Sequence, residues 1–288
     1  MVLEQLYPIE FLKEKPRYAL LLSFAFTVFA TFFGMMIFPQ DPALVIVAMA
    51  STLLIPSLYQ FTVFEEKVER EIAGMGVKDV LITNKQLFKV YTYMFFGSFF
   101  AFAIFSIVLP SLATNYLFRT QMAAVAGGAI AGIGTKFSMV LLWELLSNNF
   151  QVLMLCFIVS IIAGNGSIYL IIWNASVWGT VFGTLAKTTA LHLGASSGVL
   201  FLLIMISVFP HVLLEMGSYI LAVISGTVIS NALAREHILS KRFGKVLLVN
   251  LVILGLALLV LLIGGIVETY VLDNFMTYQR IIQLSFGG

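Results

Sequence analysis

The stretch VLLVNLVILGLALLVLLIGGIV, residues Val246–Val267, decides the fold class of this chain. It runs for 22 residues without a charge, and a helix of about 20 apolar residues is long enough to cross the hydrocarbon core of a bilayer. Three further uncharged runs have a similar length: Tyr18–Phe38, Ala43–Phe64 and Val90–Pro110. The sequence therefore predicts an all-α, polytopic membrane helical bundle.

The composition of the whole chain agrees with a membrane protein. Of its 288 residues, 60% are hydrophobic and 10% are charged, whereas soluble domains carry about 25% charged residues. Too few charges remain to cover a water-facing surface, which excludes a soluble domain. The formal net charge of +2 gives no argument for nucleic-acid binding. The single cysteine, Cys156, lies in an apolar run and is interpreted as a core residue.

Two longer apolar regions, 152–186 and 198–234, are interrupted by residues that disfavour a helix. Gly164-Asn165-Gly166 divides the first region, and because Gly and Asn accept left-handed backbone we expect a helix stop and a turn. Pro210-His211 divides the second region. We expect 152–186 to form a hairpin of two crossings and 198–234 to cross once as a long, bent segment, which gives about seven membrane segments. The alternative threading has one crossing by 152–186 and two by 198–234.

The basic residues predict the orientation, because Lys and Arg collect in cytoplasmic loops close to helix ends. With seven crossings, the side of the membrane that holds the N-terminus also holds most of the 16 basic residues. The exceptions, on the other side, are Arg119, Lys136, Lys187 and Arg280. The expected topology places the N-terminus in the cytoplasm and the C-terminus outside. The loop 65–89 then lies in the cytoplasm, and its mixed charges predict a short amphipathic helix.

Small residues recur every four positions in two of the segments, and in lipid such residues let helix backbones approach closely. The first stripe is Ala175, Gly179 and Gly183, and the second is Ser218, Ala222, Gly226 and Ser230. We interpret both stripes as internal helix-packing surfaces. A contact between copies in a homo-oligomer is the alternative.

Three ionisable residues lie within or at the end of apolar spans, where each costs about 2.5–3.5 kcal/mol on insertion scales. His211 and Glu215 are four residues apart on one helix face, and Glu268 follows Gly264-Gly265 at the end of the last span. We call these three residues the polar cluster. The expected threading places all of them in the outer half of the membrane, where they could meet.

Three interpretations of the polar cluster stay open. The first is a buried network that holds helix register, with partners among Asn149, Asn165, Asn174 and Tyr219. The second is a channel, transporter or proton relay, because intramembrane carboxylates mark pathways and broken helices mark binding sites. The third is an intramembrane metal-dependent hydrolase, although the H-E-x-x-H signature is absent and the metal is unknown. We assign no catalytic residue and no cofactor.

The order of motifs in the second half of the chain resembles the stage II sporulation protein M family. The motifs are Asn149-Phe150-Gln151-Val152, Gly164-Asn165-Gly166, Asn174, Gly179, Pro210-His211, Glu215 and Gly264-Gly265-Ile266-Val267-Glu268. The likeness covers 140–275, and residues 1–139 share only the layout of a helical hairpin, a charged loop and a third span. Val212 and Met216 stand where family members usually have Gly and often have Pro. We treat 1–288 as a single transmembrane domain, with three N-terminal spans in 1–110.

The resemblance implies membership of a membrane complex. In sporulating bacteria the family works with cell-wall-cleaving partners during engulfment, without an accepted catalytic activity of its own. We therefore expect a multi-pass protein of the cell membrane that acts as a non-enzymatic scaffold or a partner-binding subunit. Its expected partners are the lipid bilayer, another protein of the complex and, as an alternative, a second copy of the chain.

Labelling at Lys241 tests the predicted orientation. We expect a membrane-impermeant maleimide to leave a Lys241→Cys variant unlabelled in intact cells and to label it once the membrane is opened. An Arg119→Cys variant is the matched control, because the same threading places that residue outside and accessible in intact cells. Labelling of Lys241→Cys in intact cells would contradict the orientation.

Overall fold

The computed structural model describes residues 12, 14–71, 76–126, 139–276, 279–281 and 284. Across these residues the chain is helical and has no strand, which confirms the all-α prediction. The helices are α1 Tyr18–Ile37, α2 Pro42–Glu71, α3 Val77–Thr83, α4 Lys85–Val108, α5 Ser111–Leu117, α6 Arg119–Ala126, α7 Met139–Ala163, α8 Ile168–Leu193, α9 Ser197–Leu233 and α10 Lys241–Asn274.

Six segments of the described chain are long and apolar enough to cross a membrane. They are Tyr18–Ile37, Pro42–Tyr59, Lys85–Val108, Leu142–Leu193, Ser197–Leu233 and Lys241–Val271. The predicted multi-pass membrane protein is therefore confirmed, but the count of seven segments is not. The difference lies in Leu142–Leu193, which counts as one stretch of 52 residues.

The long stretch contains two helices, α7 and α8, joined by a 3₁₀ turn at Gly164–Ser167. Gly164 has a φ of 52°, a left-handed conformation that glycine adopts without a steric penalty. The Gly164-Asn165-Gly166 motif thus forms the helix stop and turn that its residue types predict.

α7 and α8 run in opposite directions along α9. Asn149 of α7 bonds Glu215 of α9, and Phe157, two turns further along α7, lies against Gly226, three turns further along α9. α7 and α9 are therefore parallel. α8 packs against α9 and is joined to it by the short link 194–196, so these two helices are antiparallel. This is the arrangement of the hairpin expected for 152–186.

The expected single crossing by 198–234 is confirmed, and the helix is not broken at Pro210. α9 continues from Ser197 to Leu233 as a 37-residue helix with Pro210 inside it. Proline removes one N–H from the helical ladder, but lipid offers no other partner to the backbone groups on either side. The helical state is therefore kept, and proline is tolerated in membrane helices where neighbouring groups satisfy the freed carbonyl.

Two other helix boundaries also lie beyond the apolar runs. α7 begins at Met139, well before the run Val152–Ala163 that predicted it, and α2 continues to Glu71 in the region expected to be a loop. Polar residues such as the exposed Glu144 end an apolar run without preventing backbone hydrogen bonding. In the loop expected over 65–89, the short helix is α3, and α4 already begins at Lys85.

α4 lies at the centre of the N-terminal half of the bundle, where it packs against α1, α8 and α9. Its phenylalanines fill the space between these helices. The ring of Phe99 lies 6.3 Å from the ring of Phe182 on α8 and 6.2 Å from the ring of Phe201 on α9. Phe95 contacts Trp178 edge-on at 5.6 Å. This aromatic core fixes how three helices meet.

Both stripes of small residues face neighbouring helices inside the molecule. A Cβ atom on Gly183 would lie 2.6 Å from the carbonyl oxygen of Ala103 on α4. On the second stripe, a Cβ atom on Gly226 would lie 2.6 Å from the carbonyl oxygen of Phe157 on α7. Real Cβ atoms do not approach backbone atoms so closely, so only glycine permits these contacts. The remaining stripe positions Ala175, Ser218 and Ala222 are fully buried, and Ser230 is half-buried.

Gly179→Ala should destabilise the protein, because the new Cβ would lie 3.0 Å from the Cβ of Phe102 and closer still to the Phe99 carbonyl. Overpacking of this kind costs about 1–3 kcal/mol. The free energy of unfolding in mixed micelles measures the effect. Gly255→Ala is the matched control, since nothing lies within 4 Å of that position and alanine favours the helix. Equal stability of the two variants would contradict the close α4–α8 contact.

Candidate functional site

α9 carries His211 and Glu215 in the middle of its length. Glu215 is the central residue of this 37-residue helix, which at about 1.5 Å per residue is far longer than the hydrocarbon core of about 30 Å. Along the chain, Glu268 lies near the end of the span Lys241–Val271, whereas Glu215 lies at the middle of α9.

Two glycines bring α10 against α9 and α7 at this level. A Cβ atom on Gly264 would lie 3.3 Å from the Cγ of Glu215, and one on Gly265 would lie 2.6 Å from the side chain of Leu146 on α7. α10 therefore contacts both helices at consecutive residues. Glu268 follows Gly264 by one helical turn, so it projects from the same face of α10 towards α9.

The carboxyl groups of Glu215 and Glu268 form a side-chain hydrogen bond. The amide Nδ2 of Asn149 on α7 donates a second hydrogen bond to the Oε1 of Glu215, at 2.9 Å. Ionised carboxylates only accept hydrogen bonds, so a bond between two carboxyl groups requires that one of them holds a proton. At least one of the two carboxyl groups is therefore protonated when they bond, and three helices meet at Glu215, which is only 3% exposed.

Two atoms of the polar cluster are buried and lack a hydrogen-bond partner among the described residues. They are the Nδ1 of His211 and the Oε2 of Glu268. Tyr219, one turn beyond Glu215, is also buried and lies within electrostatic range of both carboxyl groups. The structure thus brings together Glu215, Glu268 and Asn149, with His211 and Tyr219 one turn away along α9.

Asn165 and Asn174, two of the expected partners of the polar cluster, have other positions in the fold. Asn165 lies in the 3₁₀ turn that follows α7, four turns beyond Asn149. The amide of Asn174 donates to the carbonyl of Leu170 on its own helix at 2.8 Å. An asparagine in an apolar run can bond its own helix as easily as a neighbour, and spacing along the chain does not distinguish the two.

The described residues contain no group of three or more His, Cys, Asp or Glu side chains that could hold a metal ion. In the polar cluster the two carboxyl groups already bond one another, and Glu215 also accepts from an amide. The chemistry that this arrangement offers is the binding of a proton and the joining of three helices.

A ladder of hydroxyl groups between α1 and α4 was missed by the sequence analysis. The hydroxyl of Ser98 lies 2.7 Å from that of Ser23 and 2.8 Å from that of Thr27. All three side chains are fully buried. The signal was present, because Ser23, Thr27 and Thr31 recur every four residues along the first span.

Lys187, which follows the apolar region 152–186, lies within α8. Its ammonium group donates to the backbone carbonyl of Leu109, which caps the end of α4. Positive charge at a helix C-terminus is favourable, because the last carbonyls carry a partial negative charge. Lys187 therefore joins two helices instead of belonging to a connecting loop.

The bond between Asn149 and Glu215 should appear as a coupling energy in a double-mutant cycle. We expect the cycle of Asn149→Leu and Glu215→Leu to give about 0.6 kcal/mol, and at most about 1.7 kcal/mol, as polar pairs between membrane helices do. The free energy of unfolding in mixed micelles is the measurement. Asn174→Leu with Glu215→Leu is the control cycle, because Asn174 bonds its own helix. Equal coupling in the two cycles would refute the bond.

Comparison with known proteins identifies one family. The family model for Stage II sporulation protein M matches residues 20–271, from the first turn of α1 to the last turn of α10. Comparisons with curated proteins and with solved structures gave no significant match. The family pattern thus includes the N-terminal helices as well as 140–275, to which the motifs pointed. Because the match covers most of the chain, this protein belongs to the Stage II sporulation protein M family.

Proposed function

We propose that this protein is a non-enzymatic scaffold or partner-binding subunit of a complex in the cell membrane, with its N-terminus in the cytoplasm and its C-terminus outside. Membership of the Stage II sporulation protein M family supports this role. The excess of basic residues on the side of the membrane that holds the N-terminus supports this orientation.

The observation that carries the proposal is that buried polar groups bond one helix to another. Glu215 bonds Asn149 and Glu268, Ser98 bonds the hydroxyls of α1, and Lys187 bonds the end of α4. Each of these contacts joins two helices of the same chain. Polar groups used in this way build a rigid bundle, and a rigid bundle presents a constant surface to a partner.

The polar cluster also favours one second candidate, a proton-coupled transporter. The buried Nδ1 of His211 and the buried Oε2 of Glu268 lack hydrogen-bond partners among the described residues. His211 also directly follows Pro210 inside the longest helix. Buried polar atoms without partners beside a pair of intramembrane carboxyl groups are features of proton pathways in membranes. In this alternative the carboxyl pair would release and rebind its proton during transport.

Purification from native membranes, followed by reconstitution, separates the two candidates. We expect the tagged protein, isolated in a mild detergent, to bring down a partner in a fixed stoichiometry. We also expect proteoliposomes of the purified chain to show no proton flux above empty liposomes when a pH-sensitive dye is enclosed. A chain that is isolated alone and conducts protons would overturn the scaffold proposal.

The double variant Glu215→Gln, Glu268→Gln is the control for this experiment. Glutamine keeps a hydrogen-bonding amide at both positions but removes the exchangeable carboxyl proton. A scaffold should recover its partner in the same stoichiometry with this variant as with the native chain. A proton-coupled transporter should lose its flux, whether or not the partner is recovered.

A further inference from the structure

The link between α9 and α10, residues 234–240, lies at a membrane surface. α9 and α10 are both long and apolar enough to cross a bilayer, and only seven residues connect them. So short a connection cannot extend far into water. Its side chains therefore lie beside the lipid headgroups.

The link exposes two large apolar side chains at its tip. Ile238 is 64% exposed and Leu239 is 87% exposed. Both lie outside the helices, so they do not contribute to the lipid-facing surface of a span. Apolar area of this kind is unfavourable in water and favourable at the boundary between headgroups and acyl chains.

Basic residues flank this apolar pair on both sides. Arg235 precedes it, and Lys241, Arg242 and Lys245 follow it, all with exposed side chains. The one acidic residue of the segment, Glu236, pairs with Arg242 at 3.3 Å. The charge around the apolar pair is therefore positive, which complements an anionic surface.

Hydrogen bonds hold the link in a defined shape. The backbone N–H of Ser240 donates to the carbonyl of His237 at 2.8 Å, and the N–H of Leu239 donates to the Nδ1 of His237 at 3.3 Å. The hydroxyl of Ser240 then caps α10 by accepting from the N–H of Phe243 at 3.1 Å. The turn thus presents Ile238 and Leu239 outward as part of a fixed conformation.

We propose that this link is a binding surface for anionic phospholipid, in which Ile238 and Leu239 enter the headgroup boundary while the flanking basic side chains contact phosphate groups. The combination of apolar and basic groups at a bilayer surface matches the chemistry of such lipids, which supply both acyl chains and negative charge. Each basic residue near an anionic surface strengthens binding about fivefold.

A fluorescent label at position 239 tests this inference. Cys156 is buried, so a Leu239→Cys variant can be labelled selectively with an environment-sensitive nitrobenzoxadiazole dye and placed in nanodiscs. In discs with phosphatidylglycerol we expect the emission to shift to shorter wavelength and a headgroup-region nitroxide lipid to quench it. In discs of phosphatidylcholine alone, both effects should be weaker.

Two further variants make the test specific. Adding Arg235→Gln, Lys241→Gln and Lys245→Gln, all at exposed positions, to the labelled chain should remove the difference between the two lipid mixtures. Leu112→Cys on α5 is a matched control, since Leu112 is also 87% exposed but no basic residue lies within six positions of it in the sequence. Its label should respond equally in both lipid mixtures.

The proposal is overturned if the label at position 239 remains accessible to aqueous iodide in both lipid mixtures. That result would leave the surface free for an acidic soluble protein. It is also overturned if the triple glutamine variant keeps the full response to phosphatidylglycerol, since the basic side chains would then not bind the lipid.

Discussion

Lipid offers no hydrogen bonds, so each polar group within the spans of this protein must find its partner inside the molecule. The contact between the carboxyl groups of Glu215 and Glu268 satisfies this constraint where two ionisable groups are buried together. Two separate carboxylates would place two charges in a low-dielectric environment, whereas a pair in which at least one group is protonated carries fewer. The amide of Asn149 also donates a hydrogen bond to Glu215. One group of contacts thus lowers the charge of the polar cluster and joins α7, α9 and α10 to one another.

The same constraint explains why glycine stands next to the polar contacts. A carboxyl group can reach its partner only if the helix backbones are close, and Gly264 and Gly265 allow that approach between α10 and its two neighbours. Gly97 has the equivalent place beside the hydroxyl ladder, where a Cβ atom would meet the backbone of α1. Helices cannot gain from hydrophobic burial in lipid, so close packing and hydrogen bonds together supply the attraction.

The sequence predicted the membrane class, the uncharged spans and the turn at Gly164, because composition and glycine chemistry are local properties. It also identified the residues of the polar cluster, since charges within an apolar run are conspicuous. It predicted the single long crossing by 198–234, but not the unbroken helix through Pro210 or the start of α7 at Met139. Both arise because lipid offers no hydrogen bonds that compete with those of the helix backbone. A count of apolar residues does not measure this effect. The place of Lys187 was missed because its partner, the carbonyl of Leu109, is a backbone group far away in the sequence.

The carboxyl pair also relates protonation to the arrangement of the helices. Moving α10 away from α9 would separate Glu215 from Glu268, and each group would then need its own partner or its own proton. Any partner that favours one spacing of these helices therefore favours one protonation state of the pair, and by linkage the reverse is equally true. The protonation of the pair and the packing of α10 against α9 therefore stabilise one another.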